Sequence, residues 1–304
     1  SNTGYRMTSD DCLYNCLPLY HSTGLMLGLA AVIYSGASVF VRRKFSASLF
    51  WKEAQKYQTT TFIYVGELCR YLSFQEPCED EINNPIRAMV GNGLRPDLWD
   101  CFRDRFGVER ICEIYGASEG ACMFMNGLNK DKTIGMTNAT VALLKYDVAS
   151  DELIKSDNGF CIEADHETPG LLAVKISPDS PYNGYTDKKE SEKKILRNVL
   201  EEGDAWFNSG DLIKSMDVGF SAGQKHYQFV DRIGDTFRWK SENVSTNEVA
   251  EIINQYSQVN MANVYGVQIP NTEGRAGMVA FNCDLNEFNW DTFAEYMSCL
   301  LYTS

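Results

Sequence analysis

The sequence predicts an α/β protein: a mainly parallel sheet with flanking helices, then a small β-barrel-like subdomain, then a small α+β unit at the carboxyl end. Three observations predict it. Between Ala37 and Gly116, β-branched runs alternate with stretches of helical period. From about Ile134 to Val230, short apolar runs are split by polar loops, as in an antiparallel sheet or small barrel. After Asp231 a helix signal is followed by two strand-like runs and a last helix. These textures divide the chain into residues 1–230, split into 1–133 (α/β sheet) and 134–230 (β subdomain), and residues 231–304 (a hinge and a partial α+β domain).

Each element has its own signal. The uncharged stretch from Thr23 to Val41 has the length of a membrane span, but Gly24, Gly28, Ser35-Gly36 and Ser38 interrupt it. It reads better as a buried helix, a turn at Ser35-Gly36 and a strand over Ala37–Arg42. Ser46–Tyr57 places Leu49, Phe50, Ala54 and Tyr57 at helical spacing. Thr59–Val65 reads as a strand, Glu67–Phe74 as a short helix and Ile86–Val90 as a strand. Pro96 opens a helix over Arg95–Phe106 with Leu98, Phe102 and Phe106 on one face, and Glu109–Tyr115 is a strand again. Thr140–Tyr146, Gly170–Ile176 and His226–Val230 are among the short strands of the second region, and the mixed-sign run Asp187–Lys194 is a solvated loop or helix face. Ser245 and Glu248 form a capping box ahead of Val249, Ile252, Ile253 and Tyr256. Asn263–Gln268 and Gly277–Asn282 are the last strands, and Trp290–Leu301 the last helix.

Composition narrows the function. A net charge of −13 argues against general affinity for nucleic acid or anionic membranes, though not against ATP, which needs only local positive charge. The ten cysteines include no C-x-x-C pair and the three histidines are far apart, which disfavours a zinc site and a disulfide scaffold. Reduced thiols in an intracellular, cytosol-facing protein are the plain reading.

Residues 231–246, D-R-I-G-D-T-F-R-W-K-S-E-N-V-S-T, carry the strongest chemical signal. Arg238 and Lys240 flank Trp239, and Gly234 lies just upstream. Guanidinium groups grip phosphates, an aromatic ring stacks on a base, and glycine lets a backbone swivel, so the stretch reads as a hinge and loop handling a nucleotide or phosphate-bearing cofactor. Two glycine-rich turns, Gly91-Asn92-Gly93 and Tyr115-Gly116-Ala117-Ser118-Glu119-Gly120, follow predicted parallel strands, where such sheets bind ligands.

Together with Leu17-Pro18-Leu19-Tyr20-His21-Ser22-Thr23-Gly24, Phe207-Asn208-Ser209-Gly210-Asp211-Leu212 and the run from Val264 to Met278, these phrases follow an order and spacing that resembles the acyl-adenylate-forming enzymes. Within them the chain is similar to the very-long-chain acyl-CoA synthetase and fatty acid transport protein branch, selected by Asp235–Lys240 and Gly91–Arg95. The resemblance implies activation of a long- or very-long-chain fatty acid by ATP to acyl-AMP, then thioester formation with coenzyme A.

It also implies site residues. Glu119 would hold Mg2+ near the phosphates, and Ser118, where the family more often has threonine, would contact the α-phosphate. Tyr115 and Gly116 would line the adenine pocket, with Gly91, Asn92 and Gly93 approaching the base; the plain alternative for each is an ordinary turn. Asp211 and Arg232 would take the ribose hydroxyls; alternatively Asp211 is a surface residue in a Ser-Gly-Asp turn and Arg232 a salt-bridge partner of Asp231. Gly234 would be the hinge, and Arg238, Trp239, Lys240, Glu242 and Asn243 would enter for the thioester step near coenzyme A, with Ser241 where the branch usually has glycine. His21 would gate the substrate or lie near its carboxylate; its alternative is a buried histidine bonded to backbone.

The resemblance places a phosphate-wrapping loop upstream of Leu17 and a catalytic lysine beyond Leu301. The chain is therefore expected to be an internal part of a longer enzyme, impaired alone. Association with endoplasmic reticulum, peroxisomal or plasma membrane is expected through other segments. Two other readings stay open: a fatty acid uptake or binding protein with weak or no ligase activity, and an adenylating enzyme for amino or aryl acids.

Overall fold

The computed structural model describes residues 2–116, 122–148, 150–178, 181–182, 184, 188–233, 237–239, 242–269 and 275–300. The described residues fall into two units. One is drawn from Ser1–Ser118, Cys122–Asn138 and Met216–Gln228, the other from Ala139–Ser215 and Phe229–Ser304.

The first unit is built on a six-stranded sheet. Its strands are β1 (Cys12–Asn15), β2 (Ser38–Val41), β3 (Thr61–Val65), β4 (Ala88–Asn92), β5 (Arg110–Gly116) and β6 (Met123–Met125), in the order β2-β1-β3-β4-β5-β6. All neighbouring pairs are parallel except β5–β6. Buried strands of this kind carry apolar residues on both faces, and this sheet does. One face packs Tyr14, Phe62, Tyr64, Met89 and Ile111; the other packs Leu13, Ile63, Val90, Cys112 and Ile114.

Helices cover these faces: α1 (Asn2–Tyr5), α2 (Ala30–Ser35), α3 (Ala47–Tyr57), α4 (Gly66–Ser73) and α5 (Pro96–Asp100). α2 continues a π-helical segment over Thr23–Leu29 and stops at Gly36, whose φ of 68° supplies the left-handed cap. The expected helix, turn and strand are therefore present, with one correction. The helix is buried on one side only, with Met26, Ile33 and Tyr34 exposed. α3 also differs in detail. It buries Phe50, Trp51 and Ala54, whereas Leu49 and Tyr57 are largely exposed. Phe50 lies against Tyr14 and Phe62, and Trp51 against Phe106, so packing partners choose among three consecutive apolar residues. Among the described residues no helix is long and apolar enough to cross a membrane.

The second unit contains an antiparallel sheet. Its strands include β7 (Val141–Leu144) and, beyond the short pair β8 (Tyr146–Asp147) and β9 (Glu152–Leu153), β10 (Gly170–Lys175), β11 (Ile195–Arg197) and β12 (Ala205–Met216). The order is β11-β12-β10-β7, and β13 (His226–Arg232) also pairs with β12. The mixed-sign run holds α6 (Lys188–Lys193). The remaining elements are the hairpin β14 (Phe237–Trp239) and β15 (Glu242–Val244), α7 (Thr246–Asn254), the hairpin β16 (Met261–Gln268) and β17 (Arg275–Asn282), and α8 (Trp290–Leu300). Phe237, Ala250, Ile253, Val264, Phe288 and Phe293 form their core.

Gly266 and Gly277 face each other across β16 and β17, and the ring of Phe237 fills the space both leave. A Cβ on Gly266 would lie 2.6 Å from Phe237 Cβ, and one on Gly277 2.9 Å from its Cζ. This glycine pair seats the first residue of β14 and so sets how the β14–β15 hairpin leaves the core.

Candidate active site

Because β1 to β5 run parallel, their carboxyl ends share one edge of the sheet, the edge at which open α/β sheets bind ligands. The topology brings several predicted residues of the first unit there. His21 follows β1, Gly91, Asn92 and Gly93 end β4, and Tyr115 and Gly116 end β5.

The Gly91–Gly93 turn is shaped by its neighbours. Gly91 pairs with Tyr64 across β3 and β4, and a Cβ at Gly91 would run into the Tyr64 carbonyl and ring. Gly93 has φ of +81°, and its carbonyl occupies the space a Cβ on Gly66 would need. Asn92 and Gly93 are exposed on the edge. Tyr115 is half-buried, its ring edge-on to Phe124 at 5.6 Å.

Beneath this turn lies a residue that sequence reasoning did not single out. Glu113 on β5 is 4% exposed. It accepts hydrogen bonds from the Tyr64 hydroxyl, from the Gly93 N–H and from the Leu94 N–H at 3.2 Å. Desolvation outweighs these bonds and pushes its carboxyl up to about 8. A signal for it was present, since a carboxylate sits inside the apolar run Ile111-Cys112-Glu113-Ile114 of an interior strand.

His21 is exposed, which corrects the buried alternative. Its Nδ1 accepts the Thr23 N–H at 3.2 Å and its carbonyl accepts the Leu25 N–H at 3.0 Å. That bond leaves the ring proton of the neutral form on Nε2. Tyr64 is fully buried and its hydroxyl is engaged by Glu113.

In the second unit, Asp211 is a strand residue, not a surface residue of a turn. β12 bulges where Ser209–Asp211 pass Leu172, and the register to β10 shifts there. Gly210 takes φ of +78°, Ser209 Oγ donates to the Leu172 carbonyl at 2.9 Å, and the Ile233 N–H donates to the Gly210 carbonyl at 3.0 Å. The bulge re-aims Asp211, which is 8% exposed, toward the exposed Arg232, whose Nε lies 3.5 Å from Asp211 Oδ1. Two of the expected ribose-binding residues are thus adjacent, and the Arg232 side chain pairs with Asp211 where Asp231 was the alternative.

Asp231 is committed elsewhere. It is 1% exposed, and its Oδ2 accepts from Ser245 Oγ at 3.1 Å, Thr246 N at 2.9 Å and Thr246 Oγ1 at 3.1 Å. Its Oδ1 accepts from Asn247 Nδ2 at 2.8 Å and Arg232 N at 2.9 Å. Ser245 Oγ in turn accepts the Glu248 N–H at 3.3 Å, the cap expected from the sequence. A residue from the end of β13 therefore doubles the N-cap of α7.

Ser118, Glu119, Gly234 and Lys240 lie outside the described residues. Arg238 pairs with Asn243 and Trp239 with Glu242 in the β14–β15 ladder, so the backbone of this hairpin brings together four residues expected near coenzyme A. Among the described residues no cluster of three or more His, Cys, Asp or Glu side chains fits a metal ion.

Comparison with known proteins follows this geometry. The chain is 43% identical over 277 residues to the medium/long-chain-fatty-acid–CoA ligase FadD6 of Mycobacterium tuberculosis (strain ATCC 25618 / H37Rv), covering 91% of this chain and 45% of that protein. It is 42% identical over 280 residues to long-chain fatty acid transport protein 6 of Homo sapiens, covering 90% of this chain and 44% of that protein. The chain thus spans about half the length of these curated relatives. Its fold is that of ATP-bound MatB from Rhodopseudomonas palustris, with a TM-score of 0.75 at 18% identity over 99% of this chain and 56% of that one. A benzoate CoA ligase from Burkholderia xenovorans LB400 has the same fold, with a TM-score of 0.69 at 18% identity over 96% and 55% of the two chains. A family model described as AMP-binding enzyme matches residues 1–159, more than half of the 304 residues, and the chain therefore belongs to the AMP-binding enzyme family.

Proposed function

We propose that this chain carries the nucleotide-handling and thioester-forming parts of an ATP-dependent long- or very-long-chain fatty acid–CoA ligase. The observation that carries the reading is the 43% identity over 277 residues to a fatty-acid–CoA ligase. In the proposed reaction a fatty acid carboxylate oxygen attacks the α-phosphorus of ATP and pyrophosphate leaves, giving acyl-AMP. The thiol sulfur of coenzyme A then attacks the acyl carbon, loses its proton, and AMP leaves. Both steps depend on placing reactants and on donors aimed at developing oxyanions.

Within this reading the Gly91–Gly93 turn, Tyr115 and Gly116 receive the adenine at the carboxyl edge of the sheet. Asp211 accepts hydrogen bonds from the ribose hydroxyls, with Arg232 beside it at 3.5 Å. Ser118 contacts the α-phosphate, and Glu119 is the ligand for Mg2+, which supplies phosphate charge neutralisation when bound. His21 presents Nε2 toward the fatty acid carboxylate. Gly234 is the pivot, and Arg238, Trp239, Lys240, Glu242 and Asn243 serve the coenzyme A step.

The test is release of AMP and acyl-CoA from ATP, coenzyme A and long- or very-long-chain fatty acid by the full-length protein that carries these residues. No AMP with any chain length overturns the ligase reading. The 42% identity to a fatty acid transport protein favours a second reading, fatty acid binding or uptake with little ligase activity. Saturable fatty acid binding without AMP release would select it.

A further inference from the structure

Three adjacent strand ends meet at one carboxyl group. Tyr64 lies near the end of β3, Gly93 and Leu94 follow β4, and Glu113 lies in β5. The Glu113 carboxyl, on the third strand, accepts from the other two places: from the Tyr64 hydroxyl through Oε2, from the Gly93 N–H through Oε1, and from the Leu94 N–H, which lies 3.2 Å from Oε1 and 3.3 Å from Oε2. Gly91, between them, has no room for a side chain because Tyr64 crosses over it on the way to Glu113. The exposed turn at Asn92 and Gly93 is therefore held from below by a buried carboxyl.

We infer that Glu113 is a positioning residue that holds the Gly91–Gly93 turn in its nucleotide-receiving shape. The nucleotide part of this inference rests on the function proposed above. Among the described residues, the titratable groups coupled to Glu113 are Tyr64 on β3 and Cys69 on α4 on its own face of the sheet and its strand neighbour Cys112 on the other, all with ionisation pushed up by burial. None of the three brings a positive charge to compensate a carboxylate. At neutral pH the neutral acid satisfies both backbone donors through Oε1. In the opened turn a solvated Glu113 ionises in the ordinary carboxylate range, whereas the held turn keeps it neutral up to about 8, so opening becomes more favourable as pH rises toward 8 and levels off above it.

Two readouts on the chain itself test this. Amide hydrogen exchange at Gly93 and Leu94, corrected for intrinsic rates, should speed up about tenfold between pH 7 and pH 9, and at least as much in Glu113→Ala at pH 7. Glu113→Gln, whose carbonyl accepts from both N–H groups while its amide donates to Tyr64, should keep protection and abolish the pH step. ATP titration should follow the same pattern, with weaker binding at pH 9 in the unsubstituted chain and no such change in Glu113→Gln. If Glu113→Ala does not fold, the pH comparison between the unsubstituted chain and Glu113→Gln still decides. Unchanged exchange at Gly93 and Leu94 across pH and in the folded alanine variant overturns the positioning role. Failure of the unsubstituted chain to bind ATP, with the exchange pattern as expected, removes the nucleotide reading and leaves the positioning role standing.

Discussion

Replacing Asp231 tests how the carboxyl end of the chain is tied to β13. Its carboxylate accepts five hydrogen bonds at 2.8 to 3.1 Å while 1% exposed, four of them from the first turn of α7 or its cap. A hydrogen bond to a charged group contributes about 1.5–3 kcal/mol net, and a buried donor left unpaired costs about 1–3 kcal/mol. The bonds share one carboxylate and are not additive, so Asp231→Ala is expected to cost about 3–4 kcal/mol. Part of this is the favourable placement of an anion at a helix N-terminus, about 0.3–1 kcal/mol. Asp231→Asn keeps one acceptor for Thr246 but turns an amide donor toward the Arg232 N–H and the Asn247 amide. Asn247 can rotate its own oxygen inward, so the loss should be about 1–2 kcal/mol. The assay is amide exchange in the first turn of α7. A loss of about 3 kcal/mol corresponds to roughly two orders of magnitude in the opening constant. The Thr246 amide, bonded to Asp231, should respond more than the Glu248 amide, which keeps Ser245 Oγ. Exchange at Thr246 within threefold of the unsubstituted chain, in a folded Asp231→Ala variant, would refute the reasoning.

Three further outcomes are expected. Gly266→Ala puts a methyl group 2.6 Å from Phe237 Cβ, and should cost about 1–3 kcal/mol by overpacking; a urea midpoint equal to that of the unsubstituted chain would count against the seat. Glu113 titrates near 8 in the folded chain against 4.5 ordinarily, so its neutral form favours folding fully below pH 4.5 and that contribution is lost as pH rises through 8, about 5 kcal/mol in all. Stability should fall between pH 5 and pH 8 by about 1.4 kcal/mol per pH unit more than in Glu113→Gln, and parallel pH profiles would contradict it. Asp211→Ala should weaken ATP binding by about 1.5–3 kcal/mol, the worth of bonds to a charged acceptor, while leaving the Ser209–Leu172 bond of the bulge in place; an unchanged dissociation constant would remove Asp211 from the nucleotide site.

The alternation of strand and helix between Ala37 and Gly116 was legible because each element buries a face that repeats at its own period. β1 was missed because Cys12-Leu13-Tyr14-Asn15 is short and lacks β-branched residues. β12 was missed for a different reason. Asn208-Ser209-Gly210-Asp211 carries the residue chemistry of a turn, and in the fold that chemistry serves a bulge inside the longest strand. A left-handed glycine is compatible with either, and only pairing with β10 decides between them.

The same distinction separates the legible part of the candidate site from the rest. Gly91–Gly93, Tyr115 and Asp211 announce themselves because their types are unusual at strand ends or suited to turns. Glu113 and Asp231 are ordinary carboxylates in sequence. Their roles come from partners far along the chain: Tyr64 and Gly93 for Glu113, Thr246 and Asn247 for Asp231. In both cases one buried carboxyl gathers backbone N–H groups from a segment that begins with a turn or a helix, and fixes where that segment starts. The expected hinge segment follows Asp231 and precedes α7, so the anchor joins the two ends of that segment directly. Any swing of the carboxyl-terminal elements about Gly234 that carried α7 away from β13 would have to break those bonds. The strength of the Asp231 cluster therefore sets a cost on that motion, and weakening it with Asp231→Asn is the direct way to learn whether the motion is held back there.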